Sequence, residues 1–307
     1  MKVLITGGTG FLGYHLVQSC LQKNFDVTCL VRSSAFKTKK KIISNYKING
    51  VNLEECDIAE KISLARDDYD IVFHLVGVYR SKDENELNRV NVEGTKNLLS
   101  FLLKNRIHPK RFVLMSSTAA MGPIKSANPL NEKTECKPSN SYEASKLKAE
   151  IITKDLSKGK INYTIIRTPR IYGPLDPQNT FSLFVKAGRI GFFPFLNDAV
   201  VPLAYVKNVA DALILASTKR KASNQTFLIA DEKNYSSKEI ANTLAEILNK
   251  KGFFLKIPRA PLKFVSFFIG SYKYVLNDVR YSIEKAKKEI HYKPKYDLVS
   301  ALKETIF

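Results

Sequence analysis

The first half of the chain alternates short apolar runs with longer segments in which apolar residues recur every three or four positions. The short runs predict strands, and the longer segments predict amphipathic helices. The predicted strands span residues 2–6, 26–31, 51–54, 71–76, 112–116 and 163–167, and the predicted helices span 11–23, 84–105 and 142–157. Because the apolar residues of these strands are continuous and do not alternate with polar ones, we expect a sheet that is buried on both faces. The alternation of strands and helices therefore predicts an α/β fold with a doubly wound parallel sheet.

The pattern changes at a loop rich in proline and glycine, residues 168–177. Beyond it, the sequence predicts helices over residues 181–187, 208–217, 238–249 and 282–290 and a strand over residues 227–230. We expect residues 1–168 to form one domain and residues 169–307 to form mainly a smaller, mostly helical lobe. The stretch 203–230 is expected to return to the first domain.

The net charge of the chain limits the kinds of partner that we expect it to bind. The 307 residues contain 49 Lys and Arg against 29 Asp and Glu, a formal net charge of +20 at pH 7. Such a charge favours anionic partners, although lysines that only solvate the surface would produce the same excess. No nucleic-acid recognition motif accompanies the charge, so we expect a small-molecule partner and no nucleic acid.

The cysteines and the apolar runs exclude several other classes. Cys20, Cys29, Cys56 and Cys136 lack the spacing of a metal-binding motif, so no metal site is expected, and Cys29 and Cys56 are predicted to be buried thiols. The first strand follows Met1 directly and no run reaches the ~20 apolar residues of a membrane span, which favours a cytoplasmic protein. Residues 253–276 could contact a membrane surface, but we favour a buried helical wall of a substrate pocket.

A glycine-rich loop, Gly7-Gly8-Thr9-Gly10-Phe11-Leu12-Gly13, joins the first predicted strand to the first predicted helix. Glycines at this spacing permit a sharp turn, a close approach of the backbone to a pyrophosphate, and close packing of the helix on the strand. Free N–H groups at the helix start would then bind phosphate oxygens. The loop predicts a dinucleotide-binding site, with a plain tight turn as the alternative.

The residue at the end of the second strand bears on the choice of cofactor. An NAD site typically has an acidic residue there for the ribose hydroxyls. This chain has Arg32, followed by Ser33, Ser34 and several lysines. Because a guanidinium pairs with a 2′-phosphate, we favour NADP over NAD, with a solvated basic loop as the alternative.

Tyr142 and Lys146 form a YxxxK pair, which places both side chains on one face of a helix. A neighbouring ammonium lowers the pKa of a tyrosine, so Tyr142 could exchange a proton with a substrate hydroxyl. Ser117 follows the fifth strand, at the carboxyl end where parallel sheets bind ligands, and could bond the same oxygen. A second pair, Tyr281 and Lys285, lies far along the chain, and we interpret it as structural.

These motifs together resemble the extended short-chain dehydrogenase/reductase family, which includes NAD(P)-dependent epimerases, dehydratases and ketone reductases. The resemblance covers nearly the whole chain. It rests on Thr6–Gly13, Cys56-Asp57-Ile58, Phe73-His74-Leu75-Val76-Gly77, Asn91-Val92-Glu93-Gly94-Thr95, Ser117, Tyr142, Lys146 and Arg167-Thr168-Pro169-Arg170-Ile171-Tyr172-Gly173-Pro174.

The resemblance implies a Rossmann sheet, a homodimer formed through helices 84–105 and 142–157, and hydride transfer at a secondary alcohol or ketone carbon. Tyr142 would transfer the proton, Lys146 would lower its pKa and bind the nicotinamide ribose, and Ser117 would orient the substrate oxygen. The cofactor-binding residues it implies are Gly7, Gly10, Phe11, Leu12, Gly13, Arg32, Asp57, Ile58, Leu75, Val76, Tyr142, Lys146 and Pro169.

Departures from the family pattern narrow the choice of reaction. Sugar-nucleotide 4,6-dehydratases carry an Asp-Glu pair where this chain has Thr118 and Ala119, so that elimination lacks its acid and base. The tail lacks the Arg-Gly-Asp pattern of many epimerases, although Arg189 or Arg280 could hold a diphosphate. We favour an NADP-linked reductase or dehydrogenase. The alternatives are an NAD-dependent nucleotide-sugar epimerase and a non-catalytic dinucleotide-binding sensor or assembly protein.

Overall fold

A seven-stranded parallel sheet forms the centre of the computed structural model, which describes residues 1–79, 81–196, 199–258 and 278–307. Its strands are β1 (Lys2–Thr6), β2 (Asp26–Val31), β3 (Asn52–Glu55), β4 (Ile71–His74), β5 (Arg111–Met115), β6 (Tyr163–Arg167) and β11 (Gln225–Leu228). In space they follow the order β11-β6-β5-β4-β1-β2-β3. The order reverses between β1 and β4, so the predicted doubly wound sheet is confirmed.

Some of the helices cover the two faces of this sheet, and others pack against the later part of the chain. They are α1 (Phe11–Gln22), α2 (Ser33–Thr38), α3 (Lys40–Ile48), α4 (Glu84–Leu87), α5 (Gly94–Lys104), α6 (Ser141–Ser157), α7 (Ser182–Arg189), α8 (Val206–Thr218), α9 (Ser237–Ile247), α10 (Glu284–Ile290) and α11 (Leu298–Ile306). Helices α1 and α8 share one apolar cluster with the sheet, and α5 and α6 share the other.

The apolar strands are explained by these two clusters. In β1, Val3 and Ile5 point into the cluster of α1 and α8, while Leu4 points into the cluster of α5 and α6. Side chains alternate between the faces of a strand. Every position of a central strand therefore meets a core, and β1, β2 and β6 begin and end at the predicted residues.

The predicted helix over residues 84–105 is interrupted, because a π-helical turn, Asn88–Glu93, separates α4 from α5. Within this turn the Asn91 amide donates to the carbonyl of Val78 at 2.9 Å and accepts from its N–H at 2.8 Å. The same amide donates to the Ser145 hydroxyl at 2.9 Å. A π-bulge of this kind widens one helical turn. Here it lets a buried amide join the loop after β4 to helix α6.

The chain after β6 adds three small sheets. They pair β7 (Arg170–Tyr172) with β10 (Leu203–Tyr205), β8 (Phe192–Leu196) with β13 (Phe253–Ile257), and β9 (Val200–Val201) with β12 (Tyr235–Ser236). Helices α7, α9 and α11 contribute to the apolar cluster beside them. Strand β11 pairs with β6, and α8 packs in the sheet's own core. The division of the chain at residues 168 and 169 stays a prediction.

The interpretation of residues 253–276 as a buried helical wall is wrong for its first part. Residues Phe253–Ile257 form strand β13, which pairs with β8 and is largely exposed. Its phenylalanines stack on those of β8 instead of entering a core. The stretch from residue 259 to 276 lies outside the described residues.

Two smaller predictions can also be compared with the structure. Cys29 and Cys56 are buried free thiols, as expected. Among the described residues, no helix is both long and apolar enough to cross a membrane.

Candidate functional site

The predicted cofactor loop lies at the point where the strand order reverses. Gly7 follows β1 with a φ of +74°, and a Cβ atom placed on it would lie 3.1 Å from the carbonyl carbon of Leu75 and from the nitrogen of Val76. The loop after β1 and the loop after β4 are therefore in contact at the carboxyl edge of the sheet. A crevice at such a reversal is the usual ligand site of an open α/β sheet.

Helix α1 starts in a way that leaves room for an anion. Its N-cap is Gly10, no side chain caps its first turn, and that turn holds no acidic residue. Its first N–H groups, which belong to Phe11, Leu12 and Gly13, have no partner within the helix. A Cβ atom on Gly13 would lie only 2.1 Å from the carbonyl oxygen of Gly7. Glycine is thus required for the helix to pack this closely on the turn, and the residues present fit a pyrophosphate.

Arg32 and Asp57 come after neighbouring strands at the same edge. The Cys56 N–H donates to the carbonyl of Val31 at 3.0 Å, which sets the residues following β2 and β3 side by side. Arg32 is exposed and makes no ion pair within the described part of the chain. Ile58 is buried against Gly94 at the start of α5. The exposed Arg32 guanidinium is compatible with either a bound phosphate or a solvated loop.

Ser117, Tyr142 and Lys146 are brought together by β5 and α6. The Ser117 hydroxyl oxygen accepts from the Ala119 N–H at 3.1 Å, so its own hydrogen remains free to be donated. Ser117 lies within hydrogen-bonding reach of the Tyr142 phenol. Lys146 donates to the carbonyl oxygen of Met115, the last residue of β5, at 2.8 Å. A Cβ atom on Gly77 would lie 3.6 Å from the Lys146 ammonium, so this cation sits between the ends of β4 and β5.

The pKa of Tyr142 differs from the sequence-based expectation. Burial raises the pKa of this phenol above its usual value of 10, and hydrogen bonding to Ser117 opposes the rise. The Lys146 ammonium itself donates to the Met115 carbonyl. Tyr142 is consequently protonated at neutral pH.

Burial also changes the pKa of Lys146, lowering it from 10.5 to about 8, while the Glu150 carboxylate opposes the change. Below about pH 8 both the folded and the unfolded chain carry the ammonium, and folding must desolvate it. Above about pH 10.5 neither state carries the charge, and the cost disappears.

We therefore expect the Lys146→Met variant to become less stable relative to the unmodified protein as the pH rises. Its free energy of unfolding relative to that protein should fall by up to about 3 kcal/mol between neutral pH and about pH 10.5. Urea unfolding of both proteins at several pH values measures this difference. The exposed Lys160→Met variant is the control, and a difference that stays constant with pH would contradict the buried ammonium.

An ion pair that the sequence did not predict lies beneath these residues. Glu150 and Arg167 are 0% and 4% exposed, and Glu150 accepts from the Arg167 Nε at 2.9 Å and Nη2 at 2.6 Å. Glu150 also accepts from the Ser116 hydroxyl at 2.5 Å. The only sequence signal is that Glu150 lies one helical turn after Lys146, on the same face of α6. The pair anchors the chain just before Ser117.

His74, the last residue of β4 and a member of the family motif, is buried. The Thr95 hydroxyl donates to the Asn91 carbonyl at 2.7 Å, so it accepts from Nε2 of His74 at 3.0 Å. Nδ1 of His74 then accepts from the Thr6 hydroxyl at 2.7 Å. Burial, followed by the nearby Lys146 ammonium, lowers the pKa of His74 to about 3. His74 is a neutral link between β1, β4 and the start of α5.

The remaining predicted residues occupy separate places. Pro169 is buried directly after β6, at the same edge as Ser117, since the Thr118 N–H donates to the Thr168 carbonyl at 2.9 Å. Lys285 donates to the Gln225 side chain and the Thr226 carbonyl, as expected of a structural residue. Tyr281 lies before α10 and not within it, so Tyr281 and Lys285 do not share a helix face.

Comparison with known proteins identifies the family of the chain. The model of the NAD dependent epimerase/dehydratase family matches residues 3–230. Sterol-4-alpha-carboxylate 3-dehydrogenase, decarboxylating, from Candida albicans is 28% identical over 350 residues, covering 99% of this chain and 96% of that protein. UDP-glucose 4-epimerase from Vibrio cholerae is 26% identical over 320 residues, covering 99% and 94%.

A solved structure shares the fold. UDP-glucuronic acid 4-epimerase from Bacillus cereus, in complex with NAD, aligns with a TM-score of 0.79 at 21% identity, covering 99% of this chain and 95% of that one. The family resemblance in the sequence is thereby confirmed. Since the family model spans most of the chain and includes the glycine loop, the protein belongs to the NAD-dependent epimerase/dehydratase family of extended short-chain dehydrogenase/reductase enzymes.

Proposed function

We propose that the chain is an NADP-linked reductase or dehydrogenase that transfers hydride between a nicotinamide cofactor and the carbon of a secondary alcohol or ketone. The observation that carries this proposal is the meeting of Ser117 and Tyr142 at the carboxyl edge of the sheet, with Lys146 on the same helix face. A proton donor, a second hydroxyl and a buried cation form the set that carbonyl reduction requires.

The bound dinucleotide would supply the hydride. Tyr142 would donate its proton to the substrate oxygen as that oxygen gains negative charge. Its raised pKa keeps the phenol protonated at neutral pH, which suits the direction of reduction. Ser117 would turn its free hydroxyl hydrogen to the same oxygen and fix the substrate. The Lys146 ammonium would favour the phenolate left on Tyr142 and bind the nicotinamide ribose.

The residues proposed to hold the dinucleotide line the carboxyl edge from β3 to β6. The pyrophosphate would meet Gly7, Gly10 and the start of α1, whose first N–H groups have no partner within the helix and are capped by no side chain. The full proposed set is Gly7, Gly10, Phe11, Leu12, Gly13, Arg32, Asp57, Ile58, Leu75, Val76, Tyr142, Lys146 and Pro169. Asp57 and Ile58 would contact the adenine, and Leu75 and Val76 would lie along the cofactor.

The choice of a reductase over a dehydratase rests on two positions after Ser117. Thr118 and Ala119 are buried and carry no carboxyl group. Elimination of water from a sugar needs an acid and a base beside the reacting carbon. Relatives of this chain include sterol-4-alpha-carboxylate 3-dehydrogenase, decarboxylating, and UDP-glucose 4-epimerase. The homodimer and the cytoplasmic location stay predictions.

The cofactor preference depends on Arg32. We expect Arg32→Glu to weaken NADPH binding by about ten- to a hundredfold, because a charged hydrogen bond to the 2′-phosphate is lost. NADH affinity should change little. Fluorescence titration with both nucleotides measures the two affinities, and Lys47→Glu on the exposed surface of α3 is the charge-matched control. Equal loss of both nucleotides in Arg32→Glu would contradict the proposed 2′-phosphate contact.

The first test of the reaction class is to denature freshly purified protein and to identify any released nucleotide by mass. An empty protein that binds NADPH better than NADH supports the exchanging reductase, and alcohol and ketone panels follow. Tightly retained NAD or NADH favours the epimerase instead. A protein that is empty and binds neither nucleotide overturns the assignment of Gly7–Gly13 as a working cofactor loop.

A further inference from the structure

A cavity of about 260 Å³ lies between the loop after β7, helix α7 and the end of α11. Its volume is just below the roughly 300–1,000 Å³ of pockets that hold drug-sized molecules, so it suits a smaller ligand. Part of its wall is apolar and consists of Leu175, Phe181, Val185 and Ile306. The rest of the wall is polar or charged. None of the lining residues is among those assigned above to the cofactor or to proton transfer.

Two cations of α7 line this cavity together. Lys186 and Arg189 are three residues apart, a spacing that makes their side chains neighbours on one side of the helix. Both are exposed, and neither forms an ion pair with another residue that the structure describes. Like charges at this spacing repel each other. Two such cations in the wall of one cavity therefore favour an occupant that carries two negative charges.

The carboxylates near the cavity are already occupied. Asp176 lines the cavity but is only 9% exposed, and it accepts from the N–H groups of Gln178 at 2.9 Å and Thr180 at 3.1 Å and from the Thr180 hydroxyl. Glu304 of α11 is paired with Lys207. The two cations of α7 are consequently not neutralised by either carboxylate.

A third cation lies at the edge of the cavity. The Nε of Arg170 donates to the hydroxyl of Thr180 at 3.1 Å, and Thr180 is a lining residue. Arg170 is exposed, so its guanidinium adds to the positive charge that an incoming ligand meets. The charge of the cavity and its edge is therefore positive, even with the carboxylate of Asp176 included.

Leu175 contributes to the apolar wall from an unusual backbone conformation. Its φ is +68°, in the left-handed region that large side chains rarely adopt, and the residue is 64% exposed. The hydrogen bonds of Asp176 fix the turn that follows it. Strain of this kind persists where the surrounding structure maintains it, and it is concentrated at ligand sites. An exposed leucine maintained in this way at a cavity suits contact with an apolar part of a ligand.

We propose that this cavity binds a small phosphate monoester whose organic group is apolar. The phosphate dianion contacts Lys186 and Arg189, and the organic group lies against Leu175 and Ile306. Arginine binds a phosphate through two parallel N–H bonds and lysine binds it as a point charge, so the pair matches a dianion better than a singly charged carboxylate. The proposal does not depend on the reaction, because the cavity shares no residue with the site of cofactor binding and proton transfer.

The test is isothermal titration calorimetry of the full chain with n-butyl phosphate and with inorganic phosphate, each with and without NADPH. We expect butyl phosphate to bind more tightly than inorganic phosphate, both to weaken as salt is added, and NADPH to change neither affinity. The variant Lys186→Gln/Arg189→Gln should bind both probes about a hundredfold more weakly. The variant Leu175→Gly, at a φ that glycine adopts readily, should weaken only butyl phosphate, by roughly three- to tenfold.

The charge-matched control is Arg220→Gln/Lys221→Gln, which removes one exposed arginine and one exposed lysine just before β11 and should bind both probes as the unmodified protein does. Circular dichroism verifies that each variant is folded, which we expect because all changes are at exposed positions. No binding, equal loss in the control, or full binding by Lys186→Gln/Arg189→Gln overturns the proposal. Displacement of the probes by NADPH also overturns it, because they would then occupy the cofactor loop. Equal affinity for the two probes would exclude the apolar contact.

Discussion

We expect Tyr142→Phe to lower kcat by roughly a hundred- to ten-thousandfold, the usual contribution of a positioned general acid. The phenol is the group whose proton would reach the substrate oxygen, and Ser117 bonds to it at the edge of the sheet. Phenylalanine fills the same space, so cofactor affinity and stability should change little. Activity is measured with the best substrate of the alcohol and ketone panels, and NADPH affinity by fluorescence titration.

The control for this variant changes a second tyrosine that lies close to Tyr142. Tyr79 is 43% exposed and near enough to act on the pKa of Tyr142. Tyr79→Phe removes an identical hydroxyl from the same neighbourhood and should retain most of kcat. A comparable loss in both variants would mean that the hydroxyls serve to bind substrate. Full activity in Tyr142→Phe would remove it from the proposed proton transfer altogether.

The parts of the structure that the sequence predicts best are those controlled by neighbours along the chain. Strand β1 is apolar at its three central positions, Val3, Leu4 and Ile5, and the spacing of the glycines after it suits a sharp turn and a closely packed helix. Gly13 shows why, since any larger residue would collide with the Gly7 carbonyl. Such local requirements directly restrict which residue types can occupy these positions.

Structure that depends on contacts between residues far apart in the chain is harder to predict from the sequence. The sequence pattern predicts no helix between the second and third strands, yet α2 and α3 lie there. Helix α3 is held because Ile43 and Tyr46 are buried, and the Tyr46 hydroxyl donates to the carbonyl of Gly8 at 2.6 Å. The π-helical turn at Asn91 is likewise set by partners far along the chain, in Val78 and Ser145.

The electrostatics of the site were the least predictable part. The YxxxK spacing does place Tyr142 and Lys146 on one helix, but spacing alone does not say where the ammonium points. The structure directs it to the Met115 carbonyl. Burial then decides both pKa values, raising that of Tyr142 and lowering that of Lys146. Burial is a property of the assembled fold, so it cannot be predicted from a sequence motif alone.

Breaking the buried ion pair between Glu150 and Arg167 should destabilise the protein more than breaking an exposed ion pair. We expect Glu150→Gln to lower the free energy of unfolding by about 3–5 kcal/mol, because it leaves the guanidinium of Arg167 buried without a counter-charge. Arg167 is 4% exposed, and its Nη1 already lacks a hydrogen-bond partner, so it has no other anion to use. Urea unfolding at neutral pH measures the change.

Two further variants separate lost charge from lost packing. The double variant Glu150→Gln/Arg167→Met removes both charges and should recover much of the loss, since an apolar replacement of a buried pair is often neutral. Asp211→Asn breaks the exposed pair with Lys295, whose N–O distance of 2.6 Å is as short, and should cost at most about 1 kcal/mol. If Glu150→Gln cost no more than Asp211→Asn, the pair would not anchor the chain before Ser117. If it costs the expected amount, the segment that presents Ser117 to Tyr142 depends on a charge one helical turn beyond Lys146. The fold and the proposed proton transfer would then be stabilised by the same helix face.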